Sequence, residues 1–275
     1  MNILLVGFDA AWTEENVGAL TAVLRRKDGS YHQVSPPECA SYSESENMIA
    51  CWQEQYDATA TLILLDQPTI VKNARGQRPV EHLVCSVISR YKGGMQPAYT
   101  GKTTMFGSNA PVWRFLSRYG GAANPFEALA QGAVYETYPA LTMIALGWAE
   151  TDDGISRLPK YNPRNRNFCR PDWRRVCTLA ADEFRQHLIT ELASWMDMVS
   201  QLARPRKADQ DRVDSCLCLL VAIHLLSGEE GLFVGEQGTG YIVVPHSLRL
   251  MEELSSRCVK TGRDPRDWVR SFRIT

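Results

Sequence analysis

The first third of the chain alternates short apolar runs with polar breaks. The apolar runs cover residues 2–8, 19–25, 31–34 and 60–65. Asp28 and Gly29 separate the second run from the third, and an Asp-Gly pair between strand-like runs indicates a hairpin. Ser43 and Glu46 form a possible capping box before residues with helical spacing. The pattern therefore predicts a βββαβ unit, in which the strand after the helix lies parallel to its neighbour.

The rest of the chain predicts helices and two loop-rich insertions. Helices are predicted over residues 78–91, 111–119, 139–146, 171–202, 207–227 and 248–259, and short strands over 133–135 and 241–244. Residues 93–109 and 147–169 are predicted to be loops. We therefore expect one domain over residues 1–275, with a mixed sheet flanked by helices and largely helical insertions at about 78–132 and 147–205.

The composition constrains the compartment more than the function. Net charge is -1, so any nucleic-acid hypothesis must rest on local charge. The chain contains no apolar run of about 18 residues and begins without a basic leader, so we expect no membrane span and no signal peptide. The eight cysteines form no C-x-x-C pair, and we expect them to be reduced thiols of a cytoplasmic protein.

Acidic residues follow the predicted strands at positions where they can meet. Asp9 and Asp66 each end an apolar run, and the carboxyl ends of neighbouring parallel strands lie at one edge of a sheet. Asp211 and Asp214 are three residues apart at the start of an apolar helix, and Glu136 follows a short strand. Clustered carboxylates repel one another unless a cation such as Mg²⁺ or Mn²⁺ joins them. The alternative is ordinary turn capping and favourable interaction with a helix dipole.

Residues 157–175 form the most basic segment of the chain. Its basic residues are Arg157, Lys160, Arg164, Arg166, Arg170, Arg174 and Arg175. The aromatic residues Tyr161, Phe168 and Trp173 lie among them. Arginine binds phosphate and aromatic rings stack on unpaired bases, so the segment predicts nucleic-acid binding. A solvated loop, or pairing with the acidic sheet edge, is the alternative.

Five short blocks resemble a known family. They cover residues 6–12 (VGFDAAW), 65–68 (LDQP), 136–140 (ETYPA), 211–215 (DRVDS) and 241–245 (YIVVP). In this order they resemble the DUF429 family, which is predicted to comprise nucleases with a ribonuclease H-like fold. The paired acids of the late helix are also similar to those of RuvC-type Holliday-junction resolvases. Gln67 and Ser215 depart from the family pattern, where alanine is common.

The resemblance implies roles for individual residues. Asp9 matches the acid of the first strand, Asp66 that of the fourth strand, and Asp211 with Asp214 the acids of the late helix. Arg78 matches a frequent family arginine.

We therefore expect a Mg²⁺- or Mn²⁺-dependent nuclease acting on DNA or RNA. Asp9, Asp66 and Asp214 are the expected metal ligands, with Asp211 and Glu136 in support. The expected nucleic-acid-binding residues are Arg78, Arg164, Arg166, Arg170 and Trp173. Two alternatives remain open: a phosphotransferase of the actin-like sugar-kinase type, and a non-catalytic nucleic-acid-binding module.

Overall fold

A five-stranded mixed sheet forms the centre of the computed structural model, which describes residues 1–129, 131–152 and 155–274. Its strands are β1 (Ile3–Asp9), β2 (Gly18–Arg25), β3 (Tyr31–Ala40), β4 (Ala60–Leu65) and β5 (Gly132–Glu136). They lie in the order β3-β2-β1-β4-β5. β1 pairs antiparallel with β2 and parallel with β4, and β5 is parallel to β4. This confirms the predicted ribonuclease H-like α/β fold class.

Helices cover both faces of the sheet and fill the connections. They are α1 (Tyr42–Gln55), α2 (Pro79–Arg90), α3 (Thr103–Phe106), α4 (Pro111–Arg118), α5 (Pro139–Ala145), α6 (Arg170–Gln186), α7 (Thr190–Ser200), α8 (Lys207–Leu226), α9 (Leu248–Lys260) and α10 (Pro265–Trp268). Alternate residues of β1 serve the two faces: Leu4 and Val6 pack with α1 and α4, whereas Ile3 and Leu5 pack with α2 and α8. Burial on both faces explains why β1 is apolar up to Phe8 and β4 is apolar except for Thr61. None of the described helices has the length and apolar character needed to cross a membrane.

Shorter strands lie outside the central sheet. They are β6 (Glu150–Asp152), β7 (Ile155–Arg157), β8 (Gly231–Glu236), β9 (Gly240–Pro245) and β10 (Val269–Phe272). β6 and β7 form a hairpin, and the other three form an antiparallel sheet in the order β10-β8-β9. Further segments lie between β4 and β5 and between α5 and α8, and their description as insertions at about 78–132 and 147–205 stays a prediction. The assignment of the whole chain to one domain stays a prediction.

Several predicted boundaries are wrong for local reasons. The capping box that begins α1 is Ser41 with Glu44, two residues before the predicted pair. β3 continues through Pro36 and Pro37, which an edge strand tolerates because one side of it needs no hydrogen-bond donors. The region 171–202 is two helices rather than one, because Leu188 takes a left-handed conformation with φ 59° and ends α6.

A close approach between α8 and β1 sets the geometry of the sheet edge. A Cβ atom on Gly7 would lie 2.1 Å from the backbone oxygen of Ser215 and 2.4 Å from the backbone nitrogen of Leu219. Only glycine therefore permits this contact. Because α8 packs so closely on β1, its first turns lie beside the strand end that carries Asp9.

Candidate active site

Asp9 and Asp66 are neighbours at the carboxyl edge of the central sheet. Phe8 pairs with Leu65 in the parallel register of β1 and β4, and the next residue on each strand is the aspartate. The backbone N–H of Asp66 donates to the backbone oxygen of Phe8 at 2.8 Å. Asp9 is 8% exposed and Asp66 is half-buried. The predicted juxtaposition of the two strand-end acids is therefore confirmed.

Asp214 joins them from α8. It is buried, and it lines a cavity of about 470 Å³ together with Asp9 and Asp66. Its Oδ1 accepts a hydrogen bond from the Tyr161 hydroxyl at 2.5 Å, and its Oδ2 accepts one from Gln210 Nε2 at 2.6 Å. The carboxylate is therefore held in one orientation by two neutral donors.

The three carboxylates disturb one another's ionisation. Burial and the charge of Asp214 raise the pKa of Asp9 and of Asp66 well above the usual value, and Asp66 adds to the effect on Asp9. Burial raises the pKa of Asp214 to about 6, although Lys207 and the two hydrogen bonds oppose the shift. Ionising all three groups at neutral pH therefore costs free energy that a bound cation would offset.

Lys207 supplies a positive charge within the chain itself. It lines the same cavity, and its Nζ donates to Asp211 Oδ1. Burial alone would lower the pKa of Lys207, but attraction to Asp9 and Asp214 outweighs it and raises the pKa overall. Sequence reasoning missed this residue, although the i,i+4 spacing of Lys207 and Asp211 on a helix was a usable signal. Asp211 is therefore a partner of Lys207 at the border of the acidic cluster.

The donor set suits a hard divalent cation, but a complete three-acid shell is not formed. Among the described residues, no group of three or more His, Cys, Asp or Glu side chains is placed to hold a metal ion. Magnesium often needs only one or two carboxylates, because substrate phosphate and water complete its shell. Asp9 and Asp66, which are adjacent and have raised pKa values, could provide such a pair. The assignment of Asp9, Asp66 and Asp214 as metal ligands stays a prediction.

Comparison with known proteins places the chain in a family. The sequence-family model described as "Protein of unknown function (DUF429)" matches residues 7–238 of the chain. The chain belongs to the DUF429 family. This match covers all the acids of the cluster and confirms the resemblance drawn from the five sequence blocks. No curated protein and no solved structure gives a significant match to this DUF429 chain.

Glu136 and Arg78 form a buried ion pair in this DUF429 protein. Arg78 Nη2 lies 2.5 Å from Glu136 Oε1, and Arg78 Nη1 donates to Glu136 Oε2 at 2.8 Å. Arg78 Nε also donates to Glu81 Oε1 at 2.7 Å, and Arg78 is only 1% exposed. The prediction that Arg78 binds nucleic acid is therefore wrong, because its guanidinium is enclosed and used internally.

The role predicted for Glu136 is corrected for the same reason. Besides Arg78, its carboxylate accepts a hydrogen bond from the backbone N–H of Thr69 at 3.0 Å. Burial raises the pKa of Glu136, although Arg78 lowers it. In this arrangement Glu136 anchors Arg78 and the segment after β4, and it is not free to act as a metal ligand or general base.

The predicted nucleic-acid-binding residues of the basic segment separate into two groups. Arg164, Arg166 and Arg170 are exposed, as phosphate binding requires. Trp173 is 0% exposed and its indole N–H donates to the Val199 backbone oxygen at 3.0 Å, so its predicted stacking role is wrong. Tyr161 is buried and Phe168 packs against the core, so neither provides a free stacking surface.

The basic segment runs from the end of β7 through a folded loop into α6, and its loop lies over the acids. Cys169 N–H donates to the Lys160 backbone oxygen at 2.7 Å, which closes the loop. Asp172 accepts hydrogen bonds from Arg157 Nη1 and from the Lys160 backbone N–H, each at 2.5 Å. Tyr161 is bound to Asp214, and Arg164 of the same segment lines a cavity together with Asp9 and Lys207.

Proposed function

We propose that this protein is a nuclease that hydrolyses phosphodiester bonds in DNA or RNA with Mg²⁺ or Mn²⁺. The observation that carries the proposal is the meeting of three buried or half-buried carboxylates, from β1, the end of β4 and α8, with raised pKa values. Such an arrangement lowers the stability of a protein that has no bound cation, so a functional role is the expected reason for it. Carboxylates with perturbed pKa values in a cavity are typical of catalytic sites.

The chain's own residues have distinct roles in the proposed reaction. Asp9 and Asp66 would hold the cation, which supplies Lewis acidity and offsets charge on the phosphate when bound. Asp214, with a pKa of about 6, is mostly ionised at neutral pH and can accept a proton from the attacking water. Tyr161 and Gln210 orient its carboxylate for that purpose.

The exposed arginines account for substrate binding. Arg164 lines a cavity of about 460 Å³ that also contains Asp9 and Lys207, so a phosphate bound there lies beside the acids. Arg166 and Arg170 extend the same basic loop. Binding by local charge is compatible with a net charge of -1, because phosphate contacts act over about a Debye length.

The two alternatives have less support. The residues described contain one βββαβ unit, and their remaining strands form an antiparallel sheet and a hairpin, whereas an actin-like phosphotransferase uses a duplicated core. A module that only binds polyanions gains nothing from clustered carboxylates. A cytoplasmic location is also proposed, since all eight cysteines are free thiols.

The proposal is tested by cleavage of labelled DNA and RNA, single-stranded, duplex and branched, with Mg²⁺ or Mn²⁺. We expect the wild type to cut at least one form and Asp9→Asn to lower the rate by more than about 100-fold, since it removes a metal ligand. Asp57→Asn is the matched control, because Asp57 is exposed in the turn after α1 and φ is 47°, which asparagine tolerates. Equal cleavage by wild type and Asp9→Asn, or no metal-dependent cleavage of any form, would contradict the proposal.

A further inference from the structure

A second cavity adjoins the acids and has a different chemical character. Its volume is about 750 Å³, within the usual size range of small-molecule sites. Asp66 lines both this cavity and the acidic one, so the two spaces meet at a residue of the proposed catalytic site. Its lining includes Trp12, Met95, Met105, Asn16, Gln67 and Arg164. The lining also includes Arg78, Glu81 and Glu136, whose charges are paired with one another.

Trp12 lines this cavity in an unusual backbone conformation. Its φ is 66°, in the left-handed region that a bulky residue rarely adopts. The indole N–H donates to the Asp66 backbone oxygen at 3.1 Å, and the ring meets Phe106 edge-on at 5.6 Å. The side chain is half-buried, so part of it faces the open space. Strain held by such contacts beside a catalytic centre indicates that the ring is needed where it is.

The lining suits a flat, polar-edged aromatic ligand. An indole and the two methionine thioethers provide polarisable surface for stacking. Asn16 and Gln96 provide amide groups able to hydrogen-bond the edge of a base. Gln67 is buried in the lining, its Oε1 accepts from the Tyr42 hydroxyl, and its Nε2 has no partner within the described part of the chain. Arg164 lines this cavity and the one that contains Asp9, where a phosphate belongs.

We infer that this cavity binds one unpaired nucleobase of the substrate, next to the phosphodiester bond that is cut. The inference rests on the proposed function and specifies its substrate: a single strand, or a nucleotide extruded from a duplex. A base inside a stacked duplex cannot enter such a cavity without leaving the stack. Stacking on Trp12 is tolerant of sequence, because every base has a π-face.

The test compares binding of adenosine 5′-monophosphate and ribose 5-phosphate to the full chain by calorimetry in Mg²⁺. The two probes share the phosphate and sugar, so their difference reports the base. We expect the wild type to bind the nucleotide at least about 10-fold more tightly, Trp12→Ala to lose that preference, and Trp12→Phe to retain most of it. Equal binding of the two probes, or no measurable binding of the nucleotide, overturns the inference.

Trp113 offers a matched control. Like Trp12, it packs against the cluster of Val71, Ala98 and Phe106. Its indole N–H donates to the Gly107 backbone oxygen at 2.8 Å. Among the residues that the structure describes, Trp113 is not part of the cavity lining. Trp113→Ala should keep the preference for the nucleotide, and a loss equal to that of Trp12→Ala would assign the effect to packing instead. A thermal melt of each variant serves as the control for folding.

The binding test is independent of turnover. If the nucleotide does not bind but Asp9-dependent cleavage is intact, the proposed base site is refuted and the proposed nuclease activity stands. If no cleavage occurs but the nucleotide still binds selectively, the proposed nuclease activity is refuted and the cavity remains a nucleotide-binding site.

Discussion

At the scale of single residues, the acidic cluster is a balance of charges that favours a cation. Lys207 partly offsets Asp9, Asp211 and Asp214, but the pKa values of Asp9, Asp66 and Asp214 remain raised. The cluster is therefore less stable when ionised than when protonated. This is the opposite of ordinary surface ion pairs, which gain stability when their carboxylates ionise.

The pH dependence of stability follows from that balance. Because the pKa of Asp214 is about 6 in the folded state and 3.8 is its usual value, the folded state binds more protons between these pH values. In a chelator, the contribution of Asp214 to stability should be fully present below about pH 4 and be lost as pH rises through 6. Asp214→Asn should remove part of this fall and raise the free energy of unfolding at pH 8 by up to about 3 kcal/mol. Urea unfolding in EDTA at several pH values measures this, with Asp57→Asn as the unchanged control; a destabilised Asp214→Asn at pH 8 would contradict it.

Individual site residues differed in how far the sequence could predict them. Asp9 and Asp66 were predictable because buried strands end at them, and parallel register brings such ends together. Arg78 was not, because a sequence does not reveal that Glu136 will enclose a distant arginine. Trp173 had a usable signal, since it shares helical spacing with Val176, Cys177 and Ala180, all buried on one face of α6.

At the scale of elements, local chemistry fixes where helices begin and end. α6 ends in a Schellman motif: the N–H of Ile189 donates to Phe184 and that of Leu188 to Arg185. The left-handed position of that motif favours glycine, but here it holds Leu188, which is 81% exposed. Because no glycine marks this break, one long helix was predicted instead of α6 and α7.

Leu188→Gly should stabilise the protein by about 1 kcal/mol. The change relieves the left-handed strain and removes an exposed apolar side chain, while the greater freedom of glycine in the unfolded state offsets part of the gain. Chemical denaturation measures the difference. Leu248→Gly is the comparison, since Leu248 is 66% exposed at the start of α9 and has helical geometry, where glycine should be destabilising. Destabilisation by Leu188→Gly would refute this account of the helix end.

The strands of the smaller sheet show the limit of predicting strands from periodicity. β9 was predicted from its apolar run, whereas β8 and β10 were not. β8 contains Gly231 and Gly235, and β10 has only four residues, so neither has a clear period of two. Their pairing depends on tertiary contacts, including the packing of Phe126 against Phe233 and Phe272.

At the scale of the whole molecule, charge is segregated rather than abundant. The acids line a cavity at the carboxyl edge of the central sheet, and the loop over that cavity carries exposed arginines. Under the proposed function, this separation would allow a polyanion to bind over a negative site, with the arginines contacting phosphates and the acids binding the cation. The sequence predicted both groups, but the Tyr161–Asp214 hydrogen bond that joins them depends on how the loop folds.

Nucleic-acid binding should therefore depend on salt through the loop. Replacing Arg164, Arg166 and Arg170 with glutamine should weaken binding of a single-stranded oligonucleotide. The slope of log affinity against log salt should fall in magnitude by about 0.7 for each phosphate that is no longer neutralised. Fluorescence anisotropy in the Asp9→Asn background measures this without cleavage. Replacing Arg25 and Arg26, at the far end of β2, is the matched control. An unchanged slope in the triple variant would place the binding surface elsewhere.

The most direct test of the account is a Mn²⁺ titration followed by electron paramagnetic resonance. We predict that the wild type binds Mn²⁺ at a site that is lost in Asp9→Asn and in Asp66→Asn and retained in Asp57→Asn, since adjacent carboxylates of β1 and β4 provide the ligands. Mn²⁺ binding of equal strength in the wild type and Asp9→Asn, or no binding by the wild type, would contradict the claim that these strand ends share a cation.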